Sequence, residues 1–311
     1  MNDFKHLWTE LYRPQTLDDI VLSKEDREYF ESLKEKKEIP HLLFAGIQGT
    51  GKTSLAKILV NDVLDCQYQY INASDENGID AVRGKIIGFA KTKSLDGKLK
   101  VILLDESDNI SLDGQKALRN VMEEYASNTR FILTCNYLFK IIPPLQSRCQ
   151  IVNLIPPVEG VVQRVVTILK QQNITIPPEQ KPLLLEHVRK CLPDLRRIIN
   201  DVQKFSVTGT LKIKDEVSTD FVQKIFKDIV NRKDVASIRK EIISNEKSFS
   251  NDYRQFLKEL FEIIFNSDLE QETKANCLLI VAKSMETDAF VVDKEINCFS
   301  ALINLSRNIL Q

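Results

Sequence analysis

The sequence is sparing with residues that staple or ligate. Its 311 residues hold six cysteines and three histidines. Cys66, Cys135, Cys149, Cys191, Cys277 and Cys298 contain no C-x-x-C pair, so neither a disulfide framework nor a zinc site is expected. Scattered thiols fit a reducing, intracellular compartment, where they act as small core residues. No apolar run approaches the ~20 residues that cross a bilayer. Met1-Asn2-Asp3-Phe4-Lys5-His6 does not open a signal peptide. A soluble protein with no membrane partner is expected. Neither sign of charge is in excess: Lys+Arg 43 against Asp+Glu 44 gives a net charge of -1. Any nucleic-acid binding must therefore come from a local basic surface. The 43% hydrophobic and 28% charged composition is that of an ordinary folded chain, long enough for two or three domains.

Against that background, one stretch organises the chain. Residues 41–45 form a short apolar run, and residues 46–53, Gly-Ile-Gln-Gly-Thr-Gly-Lys-Thr, fit G-x-x-x-x-G-K-[ST]. A strand is expected before it and a helix after it. Glycines at 46, 49 and 51 allow the backbone to turn several N–H groups inward at a helix start, forming a cradle for phosphate. Thr50 and Ser54 belong to that cradle. Lys52 is placed to reach the outer phosphates, and the Thr53 hydroxyl to ligate Mg²⁺. A nucleoside triphosphate, ATP with Mg²⁺, is the expected cofactor.

The rest of the first half alternates. Helical segments are expected over 24–37, 54–65, 80–91 and 112–125, and strands over 68–72, 98–106, 131–136 and 150–154. This pattern predicts an α/β domain: a parallel sheet with helices on both faces. After Ile155-Pro156-Pro157 the pattern turns helical, with segments over 160–172, 178–190, 198–205 and 220–229, and then an all-helical tail. The expected boundaries are 1–155, 156–228 and 229–311. Before the first helix, residues 8–22 (Trp8 to Leu22) read as an extended strap rather than a helix, because Pro14 restricts its neighbours. It is either a packed arm or one wall of an adenine pocket, with Val21 as apolar contact and Tyr12 and Arg13 as polar ones.

Charged residues stand at strand ends, where open parallel sheets place ligands. Asp105 is the expected magnesium partner, and Glu106 is placed to polarise an attacking water. Asn136 either holds that water or a phosphate oxygen, or simply suits a turn. Arg148 follows a Pro-braced loop. It is either an arginine finger for a neighbouring subunit, worth ~10³–10⁵ in rate, or a surface cation in an ion pair worth about 0–1 kcal/mol.

Taken in order, residues 8–21, 46–53, Asn72-Ala73-Ser74-Asp75, Leu104-Asp105-Glu106, Cys135-Asn136, Ser147-Arg148-Cys149 and Asp194-Leu195-Arg196 resemble the clamp-loader ATPases of the AAA+ class, the replication factor C small subunits and their phage counterparts. The resemblance is dense to about residue 155 and thinner beyond. It implies an AAA+ domain with a five-stranded parallel sheet, a small helical lid and an all-α collar that oligomerises. It also implies ATP hydrolysis between subunits, coupled to loading a ring-shaped sliding clamp onto primer–template DNA. By position, it makes Lys52 part of Walker A, Asp105 and Glu106 Walker B, Asn136 sensor one, Arg148 the finger acting in trans and Arg196 the sensor-two arginine. Gln115 falls where the family has a glutamine that links DNA contact to catalytic geometry. Arg83 and Lys85 resemble residues facing duplex phosphates, and Met122 and Tyr125 are either clamp contacts or core. Other loader subunits, in a pentameric spiral, are the expected partners. Pro193 stands where replication factor C small subunits usually have glycine, which leans towards the phage-type loaders and so towards a host cytoplasm; otherwise the compartment is that of DNA replication. Two other classes remain: a different DNA-remodelling AAA+ motor, of branch-migration or initiator type, and a nucleotide-binding scaffold that does not hydrolyse.

Overall fold

Leu42–Ala45 (β1), Tyr68–Asn72 (β2), Lys100–Asp105 (β3), Thr129–Cys135 (β4) and Gln150–Asn153 (β5) pair in parallel in the order β2-β3-β4-β1-β5. The structure, a computed structural model, describes residues 7–74, 79–92, 99–213, 219–245, 252–288 and 290–309, with backbone alone for 79–83 and 219–220. Contacts divide the chain into two units, Met1–Ile213 and Lys214–Gln311.

The side-chain period of two decides the layering of the first unit. Leu42 and Phe44, Val101 and Leu103, and Ile132 point into one core, which Phe30, Leu33, Leu55 and Leu59 complete. Their neighbours Leu43 and Ala45, Ile102 and Leu104, and Phe131, Leu133 and Cys135 point into the other, with Ile86, Leu118, Val121 and Met122. Both faces are therefore covered, as continuous apolar strands require. The first face is covered by Lys24–Lys36 (α2) and Lys52–Ile58 (α3), the second by Ile79–Lys91 (α4) and Leu112–Glu124 (α5).

Local chemistry sets most helix ends. Ser23 caps α2 by accepting from the Asp26 N–H, and the helix stops at Lys37 with φ 52°. Ser111 caps α5 and Asp194 caps Leu195–Phe205 (α9) in the same way. The helix expected over 54–65 is instead α3 followed by a π-helical turn over Leu59–Val63.

The strap departs from its expected form. Trp8–Leu11 (α1) is one helical turn, because Pro14 lies beyond its end and restricts only its own neighbours. Trp8 is buried among Val161, Val165, Ile198 and Val202. Its backbone N–H donates to Gln203 Oε1 at 3.1 Å. These partners belong to Val158–Gln171 (α7) and α9, which with Gln180–Cys191 (α8) form the small helical layer of this unit. Between β4 and β5, the short helix Pro143–Gln146 (α6) precedes Arg148.

The second unit is a helical bundle of Thr219–Val230 (α10), Val235–Ser244 (α11), Tyr253–Phe265 (α12), Gln271–Thr287 (α13) and Lys294–Ile309 (α14). Its core joins Val222, Ile225, Phe226 and Ile229 to Phe256, Leu260, Val281 and Leu302. The boundary expected at 228 thus differs from the contact division after Ile213, because the apolar stripe of α10 is buried in this second core.

His41, just before β1, accepts a hydrogen bond at Nδ1 from the Phe131 N–H at 3.1 Å. Burial, helped by the Arg130 cation, lowers its pKa to about 4 from the usual 6.5. A proton binds the unfolded chain more readily, so this contribution to stability is present above pH 6.5 and is lost as pH falls towards 4. Urea unfolding at pH 7 and pH 5 should show a larger loss for the wild type than for His41→Asn, which keeps an acceptor but does not titrate; equal losses would absolve the histidine.

Candidate functional site

The carboxyl ends of β1, β3 and β4 converge on one cavity. After β1 the chain turns through Gly49 and Gly51, at φ 83° and 94°, a conformation that costs residues with a Cβ about 1–2 kcal/mol. Gly51 is the N-cap of α3 and brings no side chain to it. The first N–H groups of the helix therefore keep their partial positive charge facing the cavity. Lys52 is 8% exposed. Its ammonium donates to Gly46 O and Ile47 O, both at 2.8 Å, and to Asn136 Oδ1 at 2.9 Å. Burial pulls its pKa below the usual lysine value, opposed by the nearby Cys135 and Asp105.

At the end of β3, Asp105 is 6% exposed. Its carboxylate accepts from the Thr53 hydroxyl at 2.9 and 3.0 Å, from Tyr70 at 2.9 Å and from Thr134 at 2.6 Å. Thr134 also accepts from the Glu106 N–H at 3.0 Å. Glu106 has φ 55°, a strained setting of the kind that clusters at functional sites. Ser74 donates to its carboxylate, and Asn109 reaches both Ser74 at 2.7 Å and Glu106 at 3.4 Å. Thr53 and Asp105 thus offer adjacent hard oxygen donors, the set that suits Mg²⁺.

The helical layer closes the other wall. The Leu195 N–H donates to Gly49 O at 3.1 Å. A Cβ on Gly49 would lie 1.9 Å from Asp194 Oδ1. Arg196 lines the cavity next to this contact, as do Tyr12, Arg13 and Val21 of the strap. Gly160 lets α7 approach Val21, where a Cβ would meet Val21 at 2.8 Å. Arg164 ties the strap down by donating to Tyr12 O at 3.1 Å.

Of the residues expected at the site, Tyr12, Arg13, Val21, Gly49 to Ser54, Asp105, Glu106, Asn136 and Arg196 line the cavity, and Gly46 supports Lys52 from behind. Arg148 lies elsewhere: it donates to Pro144 O at 2.7 Å and pairs with Glu123 of α5. Gln115 is buried and braces the Arg148 loop, donating to Ile110 O and Lys140 O at 3.0 Å and accepting from the Ile142 N–H at 2.8 Å. Burial pushes the Cys149 thiol up to about 12, so the thiol form is favoured over the thiolate. Of the two readings given for Met122, the structure shows the core one: it is 1% exposed and packs against the sheet. Tyr125 is half-buried against the same cluster. Lys85 is exposed on α4, and the Arg83 side chain lies outside the described residues.

Sequence reasoning missed Tyr70, Ser74, Asn109, Thr134, Glu123 and Arg164. Tyr70, Ser74 and Thr134 carried a usable signal, each within two residues of a strand's carboxyl end. Glu123 and Arg164 are set by neighbours far away in the chain.

The strain and the steric contact at Gly49 are separable. Gly51→Ala, whose Cβ has room, should lower unfolding free energy by about 1–2 kcal/mol; Gly49→Ala should lose a further ~1–3 kcal/mol by forcing Asp194 away. Chemical denaturation without nucleotide measures both, and equal losses would show that the Gly49–Asp194 contact does not form.

Comparisons with known proteins agree with this geometry. Residues 42–157 match the family "ATPase family associated with various cellular activities (AAA)". The chain is 44% identical over 214 residues to the replication factor C small subunit of Sulfolobus acidocaldarius, covering 67% of this chain but only 65% of that relative. It is 36% identical over 282 residues to the replication factor C small subunit of Methanococcus maripaludis, covering 86% of this chain and 88% of that one. Among solved structures, a Thermotoga maritima RuvB variant shares the fold at TM-score 0.53 and 16% identity, over 92% of this chain and 90% of that one. Among the described residues no helix is long and apolar enough to cross a membrane. The five-stranded parallel sheet, its phosphate-binding loop and the extended match to Methanococcus together establish that this chain belongs to the replication factor C small-subunit family of AAA ATPases.

Proposed function

We propose that this chain is an ATP-hydrolysing subunit of a clamp loader, using ATP held between subunits to open a sliding clamp and place it on primer–template DNA. The observation that carries this reading is the linked set Lys52–Asn136 and Thr53–Asp105–Thr134–Glu106, which gathers a phosphate ligand, hard oxygen donors and a candidate base in one cavity. Bound Mg²⁺, held by Thr53 and through Asp105, supplies charge neutralisation on the phosphate oxygens. Lys52 exchanges its carbonyl partners Gly46 and Ile47 for those oxygens. Asn136 and Arg196 orient the outermost phosphate. Glu106, once it leaves Ser74 and Asn109, accepts a hydrogen bond from the attacking water and polarises it. Water then adds to the γ phosphorus while the bond to the bridging oxygen breaks, and ADP and phosphate depart. Tyr12, Arg13 and Val21 hold the base and sugar.

Arg148 lies away from its own chain's cavity, on a loop splinted by Gln115, which supports a role at the ATP of a neighbouring subunit. The expected assembly is a spiral of five related subunits joined by the helices of the second unit, with the layer of α7, α8 and α9 as the lid. Inside it, Arg83 and Lys85 grip duplex phosphates without reading sequence. If each subunit neutralises about two phosphates, affinity falls by orders of magnitude between tens and hundreds of millimolar salt. Tyr125 remains the proposed clamp contact on α5.

Glu106→Gln should bind ATP as the wild type does while its turnover falls at least ~100-fold; unchanged turnover in a phosphate-release assay would remove Glu106 from the chemistry. Arg148→Ala subunits mixed with Lys52→Ala subunits should recover part of the hydrolysis that each lacks alone. Failure of every mixing ratio, with assembly intact by light scattering, would make Arg148 a local structural residue.

A further inference from the structure

Away from the nucleotide cavity, the helical layer gathers three ligand-type side chains. His187 and Cys191 are four residues apart on α8, which places them on one face of that helix. Asp201 comes from the second turn of α9, across from them. Their ligand atoms all lie within 4.8 Å of one another. Cys191 Sγ is 3.7 Å from His187 Nε2, and Asp201 Oδ2 is 3.3 Å from the same nitrogen. His187 is 6% exposed and Cys191 9%, while the Asp201 side chain, at 28%, opens the cluster to solvent on one side.

These distances leave room for a metal ion among the three ligand atoms. A charge-assisted N–H···O bond closes to about 2.7–2.9 Å, and the observed 3.3 Å is longer. In a tetrahedral site with bonds of about 2.0–2.1 Å to nitrogen and oxygen and about 2.3 Å to sulfur, ligand atoms lie near 3.3–3.4 Å (N···O) and near 3.6 Å (S···N). The two edges at His187 lie close to these values, and all three ligand atoms are within 4.8 Å of one another. Thiolate, imidazole and carboxylate together form a borderline-soft set that suits zinc rather than Mg²⁺. Arg197 Nε lies 3.7 Å from Asp201 Oδ2 on the exposed side of the cluster. The edge of Phe205 packs on the His187 ring from another direction.

We propose that His187, Cys191 and Asp201 form a binding site for a divalent transition metal of the zinc class, with the fourth position open to water. Binding releases the Cys191 thiol proton, and any proton on His187, to solvent. The metal staples α8 to α9, the helix whose first residues rest on Gly49 and which carries Arg196.

The test uses the full chain, stripped with chelator and free of nucleotide and Mg²⁺. Titration with Co²⁺ should give a thiolate-to-cobalt charge-transfer absorption that saturates at one equivalent and disappears when Zn²⁺ is added. Cys191→Ser should lose the absorption, and Cys66→Ser should keep it. Asp201→Asn, at a partly exposed position that leaves the apolar core intact, should weaken Co²⁺ binding by more than about 100-fold. Absence of the band in the wild type overturns the proposal. So does a band that survives Cys191→Ser, or cobalt affinity that Asp201→Asn leaves unchanged.

Discussion

A buried carboxylate holds the nucleotide-binding unit in register. Asp105 is almost fully buried at the floor of the cavity, and a carboxylate in such a place is tolerated only when its oxygens are hydrogen-bonded. Its three donors come from three different elements: Thr53 from α3, Tyr70 from β2 and Thr134 from β4. The carboxylate thereby fixes the helix after the phosphate loop against the ends of adjacent strands. Glu106 inherits its position from the same knot through Thr134. The chemistry proposed for this chain depends on that knot, because a base displaced by an ångström from its water loses most of its effect.

A second constraint closes the cavity from the helical side. Gly49 has no side chain, and Asp194 and Leu195 occupy the space that one would need. The same Asp194 caps α9, so one residue both starts the helix and seats it on the phosphate loop. Trp8, anchored in the core of this layer, leads the strap from there to the cavity rim. Loop, helical layer and strap are thus coupled through direct contacts within one unit.

The Arg148 loop holds its guanidinium away from the chain's own cavity. Gln115 satisfies three backbone groups of the segments around it, and Glu123 and Pro144 hold the guanidinium. Both Gln115 and Glu123 lie on α5, the helix that follows Asp105 and Glu106 in the chain. The strand ends that face one cavity and the arginine that points away from it therefore share a rigid connector.

By itself the sequence determined the layered α/β plan, the phosphate loop and the strand-end positions of Asp105, Glu106 and Asn136. These follow from local rules: glycine spacing, a period of two in strands and the need to cover both faces of an apolar sheet. Only the tertiary structure decided that Met122 faces the core, that α10 packs with the second unit, that Trp8 opens a helical turn, and that Ser74, Tyr70 and Thr134 surround the two acids. It alone brought Asp201 to His187 and Cys191. The reason is geometric: a local pattern fixes which residues share a face, whereas the partner that face meets depends on how distant elements rotate and pack.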